Sequence, residues 1–208
     1  MRTILVVNAK GGCGKTTLST NIASYYATRG RKTVLVDFDV QQSSMDWLQQ
    51  RPDWREAITG LTVKQSPIRY PAGTELVVID SPARVQGRGL SDMVRRADLI
   101  VVPVLPSPID IRAAAQFLGD LLMLGRIRGN EDRVAVVANR VKENTLVYIK
   151  LRRFLKSLKI PFIATIRDTQ NYIRAAEAGV GIFEMAPSMV RKDLEQWRSL
   201  LRWLNKKK

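Results

Sequence analysis

Histidine is missing from the 208 residues, and cysteine occurs once, at Cys13. Without histidine, a Ser-His-Asp triad, a Cys-His pair and every imidazole metal site are excluded, so a general base must be a carboxylate or a lysine. A lone cysteine excludes an intrachain disulfide and offers no metal-ligand cluster; Cys13 reads as a small loop residue. Long apolar runs are missing too: Leu99 to Leu105 meets Pro106 and Pro108 well short of the roughly 20 residues that span a bilayer. Met1-Arg2 pass directly into an apolar strand with no secretory signal, and a cytoplasmic location is expected. Acids are few. Nineteen Asp and Glu stand against 34 Lys and Arg, a formal net charge of +15 that points to a polyanionic partner. With 45% hydrophobic residues the chain can bury one substantial core, and its length suggests a single domain over residues 1–208.

What is present is concentrated near the start. The apolar run ending at Val7 stops in Asn8-Ala9-Lys10-Gly11-Gly12-Cys13-Gly14-Lys15-Thr16-Thr17. Small residues let several backbone N–H groups face one concavity, Lys15 is placed to reach β/γ-phosphates, and the Thr16 hydroxyl is placed to ligate Mg²⁺. A helix opening at Thr16 adds its positive end at the same point. The candidate phosphate-binding set is therefore Gly11, Gly12, Cys13, Gly14, Lys15, Thr16 and Thr17. Ala9 stands where the general pattern G-x-x-x-x-G-K-[ST] has its first glycine. With Lys10 ahead of the glycine pair, the string K-G-G-x-G-K-T-T resembles the deviant Walker A box of the ParA/MinD family of partitioning and positioning ATPases.

Apolar strands alternating with helical patterns along the chain predict an α/β fold, a doubly wound and mostly parallel sheet with helices on both faces. Val34 to Asp37 is a short strand ending in a carboxylate. Asp37-Phe38-Asp39-Val40-Gln41-Gln42 resembles the family's second box, with Val40 in place of its proline. By that resemblance Asp39 orients or activates the attacking water and Asp37 supports the Mg²⁺ shell; the alternative is that both acids cap a helix beginning near Ser44, and the preceding phosphate loop favours the functional role. Between Met45 and Gly73 the pattern is weaker, with one or two short helices, a strand at Leu61-Thr62-Val63, and Trp54 assigned to core packing. Leu76 to Asp80 is a Walker B candidate whose Asp80 holds Mg²⁺. Ser81-Pro82 follows the family's D-[ST]-P, while Ala83-Arg84 departs from it; Gly87 to Gly89 reads as a switch sensing the γ-phosphate or as an ordinary surface loop. Further strands are expected at Leu99 to Val104, Val134 to Ala138 and Phe162 to Ile166. Helices are expected at Ile109 to Leu124, ending near Gly125 or Gly129, at Thr145 to Leu158, Gln170 to Ala178 and Met189 to about Asn205. Asn139 falls where the resemblance places the adenine pocket.

The resemblance implies an ATPase with slow basal turnover that uses ATP and Mg²⁺. It also implies an ATP-bound homodimer in which Lys10 reaches the partner's phosphates, and hydrolysis stimulated by a ParB-like or other cargo adaptor. Only two residues precede the first strand, as in the short relatives without an operator-binding helix-turn-helix. The basic residues gather in the last third: Arg152, Arg153, Lys156 and Lys159, then Arg167 and Arg174, then Arg191, Arg198, Arg202 and the terminal lysines. No sequence-reading element is apparent, so non-specific contact with DNA phosphates and a nucleoid-associated location are expected. The alternative is a MinD-like protein whose final amphipathic helix lies on an anionic membrane. We favour packing of that helix against the domain. A third alternative, a metabolic or reductive ATPase of the nitrogenase-reductase type, is opposed by the lone cysteine, since a cluster-bearing reductase needs further cysteine ligands.

Overall fold

The computed structural model describes residues 1–63, 68–124, 127, 129–158 and 160–206. Seven strands form one sheet in the order β3-β2-β4-β1-β5-β6-β7, and every pairing is parallel. The strands are β1 (Arg2–Val6), β2 (Thr33–Asp37), β3 (Ile58–Thr62), β4 (Leu76–Asp80), β5 (Leu99–Val104), β6 (Val134–Val141) and β7 (Phe162–Arg167). The helices between and after them are α1 (Lys15–Ala27), α2 (Ser43–Gln49), α3 (Gly87–Arg96), α4 (Pro108–Met123), α5 (Leu146–Ser157), α6 (Gln170–Glu177) and α7 (Pro187–Leu204).

Both faces of the sheet are covered, which is why its strands read as unbroken apolar runs. In β1, Ile4 and Val6 join the core formed with Leu18 and Ile22 of α1 and Val190, Trp197, Leu200 and Leu204 of α7. Leu5 and the following Val7 enter the opposite core, with Leu90 and Met93 of α3, Phe117 and Leu121 of α4, and Leu151 and Leu155 of α5. The apolar stripe of α7 is thus packed against the sheet, while Arg191, Arg198 and Arg202 are exposed. Among the described residues no helix is long and apolar enough to cross a membrane.

The structure departs from the sequence pattern in four places. Trp54 is 74% exposed, not core, with the Arg55 guanidinium 4.2 Å above its ring. The Gly87 to Gly89 segment is the first turn of α3; Gly87 takes φ +55 and the apolar Leu90, Met93 and Val94 pull the rest inward. β6 continues past Ala138 to Val141, so Asn139 and Arg140 are strand residues. β3 begins at Ile58 and stops before Val63. Gly125, Lys159, Lys207 and Lys208 lie outside the described residues.

Candidate nucleotide site

The order of the strands brings the three boxes to one edge. β1 lies between β4 and β5, and register sets Val6 beside Asp80 and Asp80 beside Asp37 at the strands' C-terminal ends, where open parallel sheets bind ligands. The loop after β1 then turns back into α1. Asn8 shapes that turn from inside: its Nδ2 donates to the Pro103 carbonyl at 2.7 Å, and its Oδ1 accepts from Lys10 N–H at 3.0 Å. The Lys10 carbonyl in turn accepts from Lys15 Nζ at 3.1 Å and from the Cys13 thiol at 3.2 Å. Lys15 is buried yet, among the described residues, its ammonium is held only by a neutral carbonyl, a contact that a phosphate would replace with a stronger, charge-assisted one. Burial pushes the Cys13 thiol up, against the lowering influence of Lys15, and keeps it protonated.

Gly14 shows why the loop needs glycine. It caps α1 at φ +92, and a Cβ there would come within 2.1 Å of Asn139 Nδ2. That amide donates to the Cys13 carbonyl at 2.8 Å. Asn139 therefore lines the cleft and also buttresses the phosphate loop from β6.

Asp80 is the most deeply set acid of the site. Ser19 donates to its Oδ1 at 3.2 Å, Ser44 to its Oδ2, and the Thr16 hydroxyl also bonds to it. Burial pushes its pKa up to about 6, the three hydroxyls lower it, and the charge of Asp37 raises it. Asp37 is buried alongside, and desolvation raises it too; its oxygens accept from Asp39 N–H at 2.8 Å and Ser44 N–H at 2.9 Å. It therefore folds the second box and caps α2. Asp39 is half-buried, accepts from Gln41 N–H at 3.0 Å, and faces open space.

A hydrated Mg²⁺ fits these donors: the Thr16 hydroxyl and the Asp80 carboxylate converge beside a phosphate cradle, the sparse set that this ion takes when phosphates supply the rest. Among the described residues no cluster of three or more acids or cysteines offers a rival site. Bound there, the ion neutralises phosphate charge.

Two clefts meet at the loop. One, of about 540 Å³, runs from Gly11, Gly12, Gly14, Lys15, Thr16 and Thr17 past Asn139 to Arg140, Asp168 and Tyr172. The other, about 1090 Å³, opens beyond Lys10 between α3 and α4 and shares Gly11, Asp39, Gln41 and Ala83 with the first. Non-glycine residues with positive φ gather around the same clefts: Gln42 at 54° before α2, Arg84 at 59° after β4, and Arg140 at 52° where the β6–β7 register shifts. Such backbone strain, about 1 to 3 kcal/mol each, concentrates at functional sites.

The predicted phosphate-loop residues and the acids Asp37, Asp39 and Asp80 thus stand together. The basic residues do not form one group. Arg152, Arg153 and Lys156 are exposed on α5, Arg174 on α6, and Arg198 and Arg202 on α7. Arg167 is committed to the buried Asp193 of α7, with Nε to Oδ1 at 2.5 Å and Nη2 to Oδ2 at 3.0 Å. The sequence pattern missed Asn8, Ser19 and Ser44, which hold the loop and Asp80, and the Arg140–Asp168 ion pair at 3.5 Å. Isolated serines and asparagines carry no periodic signal; only the fold shows what they face.

Comparison with known proteins agrees with this geometry. Residues 4–182 match the CobQ/CobB/MinD/ParA nucleotide binding domain. The chain is 30% identical over 194 residues, covering 88% of this chain and 87% of the relative, to the maintenance of carboxysome distribution protein A of Halothiobacillus neapolitanus. It is 23% identical to the septum site-determining protein MinD of Thermotoga maritima, covering 92% of this chain and 84% of the relative. Among solved structures, a chain of the MinC:MinD cell division protein complex of Aquifex aeolicus superposes with a TM-score of 0.75 at 19% identity, covering 100% of this chain and 98% of that one. The Cyanothece McdA–ATP complex gives 0.72 at 15% identity, covering 100% and 98%. A glycine cradle, a buried Lys15 and paired acids at one sheet edge, matched over residues 4–182, place the chain in the CobQ/CobB/MinD/ParA family of nucleotide-binding domains.

Proposed function

We propose that the chain is an ATP-dependent positioning or partitioning ATPase that dimerises with ATP, binds DNA without sequence preference and moves a cargo over the nucleoid, its hydrolysis stimulated by an adaptor protein. Its ATPase activity and its use of ATP and Mg²⁺ follow from the family and from the site; the cargo does not. The single observation that carries the reading is the position of Lys10, which follows the buried Asn8 and lines the outer cleft rather than the nucleotide cleft. A lysine there supplies charge outward, to phosphates held by a second copy. Asp39 borders both clefts and is placed to orient water between Lys15 and that second copy.

The relatives named for carboxysome distribution and for septum siting support a positioning role. The net charge of +15 and the exposed Arg152, Arg153, Lys156, Arg174, Arg198 and Arg202 support a polyanion as the surface on which it acts. Because α7 buries its apolar stripe, the membrane-bound alternative lacks a free insertion face. The test is fluorescence anisotropy with unrelated DNA duplexes in ATP, ADP and no nucleotide, alongside light scattering. Dimers and DNA binding that both require ATP, and that vanish with Lys10→Ala while ATP binding survives, are expected; equal binding in all three states overturns the reading.

A further inference from the structure

Among the described residues β7 ends the sheet and pairs only with β6, so its outer side carries backbone groups that the sheet does not use. Near its C-terminal end that side is capped. Arg167 N–H donates to Gln196 Oε1 of α7 at 2.9 Å, and Gln196 Nε2 donates to Glu143 at 3.3 Å. Upstream of the cap, Phe162, Ile163, Ala164 and Thr165 border an open groove of about 470 Å³. α5 forms its other wall with Tyr148, Arg152 and Lys156, and Glu143 closes one end. The Tyr148 and Thr165 hydroxyls, 3.0 Å apart, fix the distance between helix and strand. Arg152 and Lys156 lie one helical turn apart, are exposed, and have no ion-pair partner among the described residues.

We propose that this groove receives an extended acidic segment of a partner protein, which adds to β7 as a further strand and sets its carboxylates on Arg152 and Lys156. A strand edge supplies main-chain hydrogen bonds, while half-buried Phe162 and Ile163, which pack toward opposite faces of the sheet, offer apolar contact to one face each of the added strand. A second copy is the wrong occupant, because pairing β7 with itself brings Arg152 and Lys156 against their own duplicates. Duplex DNA satisfies the two cations but offers nothing to the strand edge.

The probe is a fluorescein-labelled peptide of alternating glutamate and valine, set against one with proline at every valine, which keeps the charge and removes alternate N–H donors. Anisotropy and amide hydrogen exchange are read on the full chain. The alternating peptide is expected to bind and to slow exchange at Ile163 to Thr165, the proline peptide to fail, and the Arg152→Glu/Lys156→Glu pair to weaken binding about ten-fold. Those two side chains are exposed, and an unchanged melting temperature checks that the variant folds. Absence of binding, equal binding of the proline peptide, or the same protection from duplex DNA would each overturn the proposal.

Discussion

Residue by residue, the site is held by groups whose own needs conflict with its function. Asp80 is buried beside Asp37 and is raised from 3.8 to about 6. Because its folded value lies above its unfolded one, its ionisation destabilises the metal-free fold progressively as pH rises from about 4 to 6, by an order of 3 kcal/mol at neutrality. Asp80→Asn is therefore expected to raise the melting temperature of metal-free protein at neutral pH, with little gain near pH 4, and to lose the Mg²⁺ dependence of nucleotide affinity. Calorimetry at both pH values with nucleotide titration checks this. Lys15→Ala should abolish ATP binding, since its ammonium faces the cradle from inside. Asp39→Ala should bind ATP, hydrolyse it slowly and accumulate as dimers; unchanged single-turnover hydrolysis would remove Asp39 from the mechanism. Asn139→Ala leaves the Cys13 carbonyl without its 2.8 Å donor, at a cost of about 1 to 3 kcal/mol if no water replaces it. Nucleotide affinity should fall with it, while Gly14→Ala, which drives a methyl into that amide, should be worse.

At the scale of elements, α2 is strapped at both ends. Ser44 at its start bonds Asp80, and Arg51 just beyond its end makes a two-pronged pair with Glu184, their side chains 6% and 0% exposed. Glu184 also accepts from Gly181 N–H at 2.7 Å, so the segment between α6 and α7 is tied to the C-terminal end of α2. Removing one partner strands a buried charge, and Glu184→Ala should cost about 3 to 5 kcal/mol by chemical denaturation. None of this was legible in the sequence, where Arg51 and Glu184 stand 133 residues apart. The elements that were legible are those with a physical signature of their own. β1, β4 and β5 are apolar runs buried on both faces, α1 opens on a glycine turn, and α7 carries a clean stripe. α3 was hidden behind two glycines that normally break helices, and its helical state comes from Leu90, Met93 and Val94 packing on the sheet. Trp54 was misjudged because an aromatic side chain signals burial on average, whereas here Arg55 covers one face of its ring.

Over the whole molecule the governing quantity is charge, +15 in total, exposed on α5, α6 and α7 while the acids Asp37 and Asp80 are sequestered at the sheet edge. A surface of this kind attracts phosphates through counterion release rather than through base contacts, so binding should track salt steeply and sequence hardly at all. On the proposed function, dimerisation would double the cations facing one duplex. If about 6 to 10 phosphates are neutralised, affinity in ATP should fall about 10³ to 10⁵-fold between roughly 50 and 200 mM salt. Arg167 should contribute little to that slope, since both prongs of its guanidinium are held by Asp193. Arg167→Ala should instead destabilise α7 and α6 by stranding a fully buried carboxylate that Asn171 alone then faces, at 2.7 Å. Arg153→Ala, Arg174→Ala or Arg198→Ala, by contrast, should each leave melting unchanged and reduce the magnitude of the salt slope by about 1. A salt series for these four variants tests whether Arg153, Arg174 and Arg198 face DNA while Arg167 holds the fold; an Arg167→Ala protein with native melting and a shallower slope would reverse that assignment.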